Sequence, residues 1–306
     1  MIIYSSKNGD HPLNRPLREV IENTRYSYDK NASIKNILFN TESGGLKGDE
    51  IFDEKSYMRF SESIPFMKEF VIPAEWMNNP GYEIKRRAEY FIKTYFAVQR
   101  ILCELALMNG ENTEMSYNRE KINISLPSGE ALFSKAHKWG EEGKACGVQS
   151  NYFCCSFSGS NEELSEALRR LCGALKNMKD EEGKPLGYAA DTIIIPCNQV
   201  KLHEQVLRTV CNKEFRAFRI VVLPTWRTDE PRFMIMSSKA NKELSGNMFF
   251  DRVPLTVSNW VDSHTGDYIW NGRCRFGVGF GSYKHILLAV DSKEETDGAT
   301  PIEKNT

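Results

Sequence analysis

A protein performs chemistry by bringing nucleophiles, acids, bases or metal ligands together, and this sequence offers few candidates. Ser134, His137 and Asp191 are the three residue types of an acyl-transfer triad. Ser134, however, lies in Leu-Phe-Ser-Lys-Ala-His and lacks the G-x-S-x-G elbow that exposes a nucleophile. His137, His264 and His285 share no helical spacing and have no cysteine pair beside them, so they do not read as a zinc set. Gly277-Val-Gly-Phe-Gly281 has the glycine density of a phosphate loop but no Lys-Ser/Thr ending and no helix after it. Those glycines fit a strand that something approaches closely. Asp180-Glu181-Glu182 reads as a solvated turn. The eight cysteines (Cys103, Cys146, Cys154, Cys155, Cys172, Cys197, Cys211 and Cys274) form no C-x-x-C pair and read as reduced core thiols of a cytoplasmic protein. No catalytic group, cofactor or metal site is expected.

The totals narrow the class further. A chain of 306 residues makes one large domain or two modest ones. Its net charge of −1, with 26% charged residues, leaves no general nucleic-acid footprint, though it is compatible with a protein that merely encloses DNA. No stretch reaches the roughly 18 apolar residues of a membrane span, and Met1 to Pro12 is too polar for a secretory signal.

The longest readable element runs from Asn79 to Gly110. Tyr82, Ala88, Phe91, Ile92, Tyr95, Val98, Ile101, Leu102, Leu105 and Ala106 recur at three-and-four spacing, the mark of a helix with one buried stripe. Asn79-Pro80 suits its start and Gly110 a left-handed C-terminal cap. At ~1.5 Å per residue such a helix is about 40 Å long. Lys85, Arg86, Arg87, Glu89, Lys93, Gln99, Arg100 and Glu104 are expected to face water or a polar partner, making the helix a beam more than a core element.

Around this helix the chain is uneven. Residues 1–33 carry little periodicity beyond Leu17, Val20 and Ile21 and can hardly fold alone, so they read either as a disordered leader or as an arm ordered against another chain, a frayed terminus being the commoner case. Ile34, Ile37, Leu38 and Phe39 form a strand-like run before a polar, glycine-rich tip at 41–50, and Tyr57 to Ile72 reads as extended. The pair suggests a long hairpin, marginal by itself. Lys121 to Leu126 alternates as a strand. Asn161 reads as the N-cap of a helix through Leu164, Ala167, Leu168, Leu171, Leu175 and Met178. Thr192–Pro196 reads as a continuous apolar strand of the kind buried on both faces, Arg219–Leu223 as a second buried strand and Phe233–Met236 as a third, with Gln199–Val210 a further helix. The end, through Leu255–Ser258, Arg273–Gly281 and His285–Val290, is β-rich.

Three stretches carry a family resemblance. Leu132-Phe-Ser-Lys-Ala-His137 is one. Asn177-Met-Lys-Asp180-Glu-Glu-Gly183-Lys-Pro185-Leu186-Gly187, followed by Asp191-Thr192-Ile-Ile-Ile195-Pro196, is the longest. Pro254-Leu255-x-Val257, Trp260-Val261-Asp262, Trp270 and Arg275-Phe276-Gly277 make the third. Their order and spacing resemble the major capsid (head) proteins of tailed bacteriophages and prophages, including the Mu-like head-subunit group.

The resemblance implies an α+β fold with an N-terminal arm (1–33), an extended hairpin loop (34–75), a peripheral domain with a spine helix (76–139) and an α/β axial domain (140–245). Strands returning to the periphery, and a C-terminal tail, would occupy 246–306. It implies no enzyme activity. It implies pentamers and hexamers of the chain itself in an icosahedral shell around double-stranded DNA, with scaffolding, portal and possible decoration proteins as partners, no membrane, and a place in the virion after assembly in the bacterial cytoplasm. Leu17 and Ile21 in the arm, and Leu46 and Ile51 near the hairpin tip, are the expected inter-subunit contacts. Encapsulin nanocompartments, which share the fold, are the neighbouring alternative. A cytoplasmic α/β enzyme is the alternative from another class.

Overall fold

The computed structural model of the protein describes residues 2–6, 13–30, 34–43, 64–76, 82–140, 147–211 and 213–292. Two compact units share the chain. One takes Met1–Ser134 and Ser238–His285, the other Lys135–Ser237 and the chain from Ile286 onward.

The first unit opens with strand β1 (Ile3–Ser6), helix α1 (Asn14–Lys30), short helix α2 (Ile34–Leu38) and strand β2 (Asn40–Ser43). Strand β3 (Ile64–Ile72), a 3₁₀ turn (Ala74–Trp76), helix α3 (Tyr82–Met108) and the hairpin β4 (Glu114–Tyr117) and β5 (Glu120–Asn123) follow. The second unit supplies β6 (His137–Trp139), β7 (Gly147–Gln149), β8 (Tyr152–Cys155), α4 (Asn161–Lys176), β9 (Thr192–Pro196), α5 (Val200–Val210), β10 (Arg219–Leu223) and β11 (Arg232–Met236). Helix α6 (Ser238–Glu243) and the long strands β12 (Asn247–Val261) and β13 (Tyr268–Phe280) return to the first unit, and β14 (Ile286–Asp291) to the second.

The first unit is built on the β12–β13 ladder, which β3 extends antiparallel on the β13 side. On the other side of β12 two short strands lie end to end, both parallel to it: β2 against Met248–Asp251 and β1 against Thr256–Asn259. Among the described residues Pro254 falls in the gap between them, where the register with β13 shifts. A residue without an N–H is tolerated in a strand only at such a place. Helix α3 lies on the sheet with Ala88, Phe91, Ile92, Tyr95, Leu102, Cys103 and Ala106 buried. Phe91 crosses β13 at Gly272, where an added Cβ would come within 2.3 Å of the ring. That glycine is there for close approach.

Several expectations change here. Ile34–Leu38 is helical, not a strand. β2 and β3 do not pair with each other: each is laddered to a different strand, so their described residues are not two arms of one hairpin. The arm holds a 17-residue helix, because Leu13, Leu17 and Ile21 fall on one face and find a core in the chain's own first unit. The α3 face expected to be wet is partly dry, with Gln99 at 2% and Glu104 at 0% exposure. Lys35 Nζ donates to Gln99 Oε1 at 3.0 Å, and Arg100 pairs with Glu104 at 3.3 Å. The helix is therefore a core element along that face, not a beam standing clear of it. Gly110 does not take the left-handed conformation. It leaves room for Phe133, whose ring would sit 2.7 Å from a Cβ there.

The second unit is a mixed sheet in the order β10-β9-β11-β14-β8, parallel at β10/β9 and β14/β8 and antiparallel at β11. All five residues of β9, an interior strand, are buried, as a strand covered on both faces requires. Helix α4 presents Leu164, Ala167, Leu168, Leu171 and Leu175 to this core. Its N-cap is Ser160, one residue before the expected Asn161: Ser160 Oγ accepts the Glu163 N–H at 3.1 Å. Ser160-x-x-Glu163 has the composition of a capping box.

Candidate functional site

The residues singled out for chemistry go to structural tasks. His137 is fully buried, its Nε2 3.1 Å from Asn151 Oδ1, and Asn151 Nδ2 donates to the Ile286 carbonyl at 3.3 Å. The Asp191 carboxylate accepts the hydroxyl of its neighbour Thr192 at 2.8 Å. Ser134 falls in the first unit, whereas His137 and Asp191 are in the second. The backbone N–H of His264 donates to Asp262 in an exposed turn. Gly277 and Gly279 are mid-strand in β13, opposite Phe250 and Met248. Among the described residues no three His, Cys, Asp or Glu side chains gather as a metal site.

The cysteines expected together in the core divide: Cys154 and Cys211 are exposed, at the end of β8 and just after α5, whereas Cys103 and Cys274 are buried. Burial pushes the Cys155 and Cys172 thiols up to about 11 and the Tyr268 hydroxyl up to about 12. It also pushes the Cys103 and Cys274 thiols above their usual range, so these sulfurs stay protonated and poorly nucleophilic at neutral pH. The Asp251 carboxyl is likewise raised by burial, with the Lys35 ammonium pulling the other way.

One buried polar network had no signal in the sequence beyond scattered asparagines. Asn241 Nδ2 and Asn247 Nδ2 both donate to the Leu38 carbonyl, at 3.1 and 3.0 Å. Asn241 Oδ1 accepts the Asn247 N–H at 2.6 Å, and Asn40 Nδ2 donates to the Asn241 carbonyl at 2.6 Å. With Asn247 Nδ2 committed to Leu38, its Oδ1 faces His285, whose Nε2 lies 2.8 Å away and must carry the proton. Asn247 and His285 are 0% exposed. Burial pulls the His285 imidazole down to about 3, against a weaker opposing bond at the Ser282 backbone, and keeps the ring neutral.

An open groove of about 630 Å³ runs along β3 and the N-terminal part of α3, lined by Lys68, Phe70, Glu83, Arg86, Arg87 and Tyr90 among others. Its rim includes Tyr90, 63% exposed, with Lys68 Nζ 5.5 Å from the ring. Arg87 Nη1 donates to the Val71 carbonyl at 2.7 Å while its guanidinium sits 4.8 Å over Trp76. Among the described residues β3 is the terminal strand of its sheet. The groove is therefore a mixed-charge surface beside a strand edge, without a buried reactive group.

Of the expected inter-subunit residues, Leu46 and Ile51 lie outside the described residues. Leu17 and Ile21 are 1% and 0% exposed on α1, which packs against α3. Their side chains face the chain's own core and present no surface to a neighbour, because the hydrophobic stripe that suggested a contact is satisfied internally.

No protein-family model and no curated protein matches the chain. Solved structures do. A phage-related protein from Bordetella bronchiseptica RB50 superposes with a TM-score of 0.51 at 11% identity, covering 89% of this chain and 96% of that one. A virus-like particle protein from Pyrococcus furiosus gives a TM-score of 0.49 at 10% identity, covering 90% and 98%. The capsid of cyanophage P-SCSP1u gives 0.48 at 10% identity, covering 86% and 89%. The α+β fold of this chain is thus shared, nearly end to end, with the Bordetella phage-related protein.

Proposed function

We propose that the chain is a shell subunit: a non-enzymatic major capsid protein whose copies close into the icosahedral head of a tailed phage or prophage around double-stranded DNA. The carrying observation is the fold shared with a phage-related protein over 96% of that protein's length. It joins a sequence in which the capsid-like motifs at 132–137, 177–196 and 254–277 occur in family order. The chemistry found at the candidate residues agrees: His137, Asp191 and the buried thiols serve packing and hydrogen bonding.

In this reading the long α3 is the spine of the peripheral part, the second unit supplies the axial part, and the polar stretch holding Leu46 and Ile51 reaches a neighbouring copy. Scaffolding and portal proteins are its partners in assembly, and the virion its destination. Balanced charge suits a lining that confines DNA without gripping it.

Sedimentation and electron microscopy of the purified full chain test the proposal. Closed particles of megadalton mass are expected. A 35.1 kDa monomer or a dimer across salt and concentration series would overturn it, and particles carrying a protein cargo in place of DNA would assign a nanocompartment. Replacing Leu46 and Ile51 together by Asp should leave a folded subunit that forms no particles; normal particles from that variant would remove both residues from the interface.

A further inference from the structure

We infer that Asn241, Asn247 and His285 are positioning residues that fix the direction in which the chain leaves α2 and enters β2 toward residue 44. As a statement about assembly, this rests on the shell reading. As a statement about the fold, it stands on the hydrogen bonds alone.

Leu38 is the last residue of α2, and its carbonyl belongs to the helix end that has no acceptor role left within the helix. A short helix usually leaves such a carbonyl to water or to a capping turn. Here two side-chain amides from the α6–β12 corner converge on it, at 3.1 and 3.0 Å. Two residues later Asn40 closes the loop by donating to the Asn241 carbonyl at 2.6 Å. The next register pair is Met248 with Asn40, so β2 is laid on β12 immediately beyond this clamp.

Each amide is itself held in one orientation. Asn241 Oδ1 takes the Asn247 N–H, and Asn247 Oδ1 faces His285 Nε2. Rotating either amide by half a turn would set oxygen against the Leu38 oxygen. The ring of His285 packs against Gly246, where a Cβ would be 2.5 Å from ring Cγ and 2.6 Å from Asn241 Oδ1. Gly246 is thus the space into which the imidazole and the amide fit.

An apolar corner could close the same volume. Burying these amides and an imidazole costs desolvation, which their hydrogen bonds offset without much surplus. What the polar arrangement adds is direction: Leu38, Asn40 and β12 have one mutual geometry. In the shell reading the chain after Ser43 carries the neighbour-reaching residues, and the clamp with β2 sets the point on β12 from which that stretch departs. Removing the clamp should therefore harm assembly more than folding.

The test uses Asn247→Leu, which keeps the volume and removes both bonds, together with His285→Gln, whose amide keeps a donor for Asn247 Oδ1, and His285→Phe, which does not. Leu171→Ala, in the core of the second unit, is the control that lowers stability away from the clamp. In the full chain, amide exchange at Asn40–Ser43 should speed at least tenfold in Asn247→Leu and His285→Phe, relative to exchange in β13, and remain near wild type in His285→Gln. Particle yield should fall at least tenfold in the same two variants, and in Leu171→Ala only as far as its folded fraction falls. Unchanged exchange at Asn40–Ser43 overturns the positioning role whether or not particles form. Faster exchange with normal particle yield and diameter overturns its part in assembly. A wild-type chain that forms no particles removes the shell reading, and the exchange result then decides the clamp by itself.

Discussion

The buried imidazole of His285 makes stability depend on pH in a window that can be stated in advance. Its ordinary value is 6.5 and burial holds it at about 3 in the folded chain. Between these values the unfolded chain binds a proton that the folded one refuses, so stability rises with pH across the window and is lost as pH falls below 6.5. At pH 5 the loss relative to pH 7 is roughly 1.5 pH steps at 1.36 kcal/mol each, or about 2 kcal/mol. The assay is denaturant unfolding of the monomeric chain at pH 7 and pH 5, for wild type and for His285→Gln. Every other titrating group is common to both proteins, so the difference between their two losses isolates this ring. Wild type should lose about 2 kcal/mol more than the glutamine variant. Equal losses would refute the argument, because they would mean that the ring titrates alike in both states.

Further outcomes follow from individual contacts. Gly272→Ala should destabilise the first unit by about 1–3 kcal/mol or more in urea unfolding, since its Cβ has Phe91 Cζ at 2.3 Å. Asp251→Asn should raise the unfolding midpoint at neutral pH: a carboxyl whose folded value is raised weakens the fold above its unfolded value, and the amide removes that cost. Ser160→Ala removes the α4 cap bond and should cost about 1 kcal/mol, read as a lower unfolding midpoint. Exposed Cys154 and Cys211 should react with a thiol reagent in the native subunit, while Cys103 and Cys274 react only on unfolding.

The helices and strands with strong periodicity were legible in the sequence, and the second unit most of all. Thr192–Pro196 reads as a doubly covered strand and is one, because a run of three isoleucines closed by proline has few other uses. The α4 stripe from Leu164 to Leu175 was equally plain. Residues before 44 misread for a physical reason. Leu13, Leu17, Ile21, Leu38 and Phe39 are too sparse to specify a core locally, yet β12 and α3, distant in sequence, complete one around them. Ile34–Leu38 has β-branched residues at both Ile34 and Ile37, which favours a strand by propensity; the surrounding unit makes it one helical turn and more. Polar groups misled in the other direction. Gln99 and Glu104 sit among charged neighbours on α3; Arg100 is a local partner for Glu104, but nothing local announces that Lys35, 64 residues away, will reach Gln99 or that both side chains will be buried.

The burial of Leu17 and Ile21 also changes what a neighbouring copy can meet on α1. With that stripe turned to α3, the outward face holds Arg15, Glu19, Asn23 and Tyr26, all exposed. Charged and polar side chains at a solvated contact set register and partner choice more than strength, and charge attractions are screened within about 10 Å at 0.1 M salt. A shell that used this face would therefore assemble with a salt-dependent rate, while the hydrophobic contribution would have to come from elsewhere, such as Leu46 and Ile51. Combining Glu19→Lys with Asn23→Lys separates the two terms, because it turns a mixed face uniformly basic without touching the buried stripe. If α1 meets a neighbour, the double variant should change the rate of particle formation at low salt and approach wild type at about 0.5 M, where the screening length is shorter still. Its unfolding midpoint should move little. Assembly rates identical to wild type at both salt concentrations would take α1 out of the interface altogether.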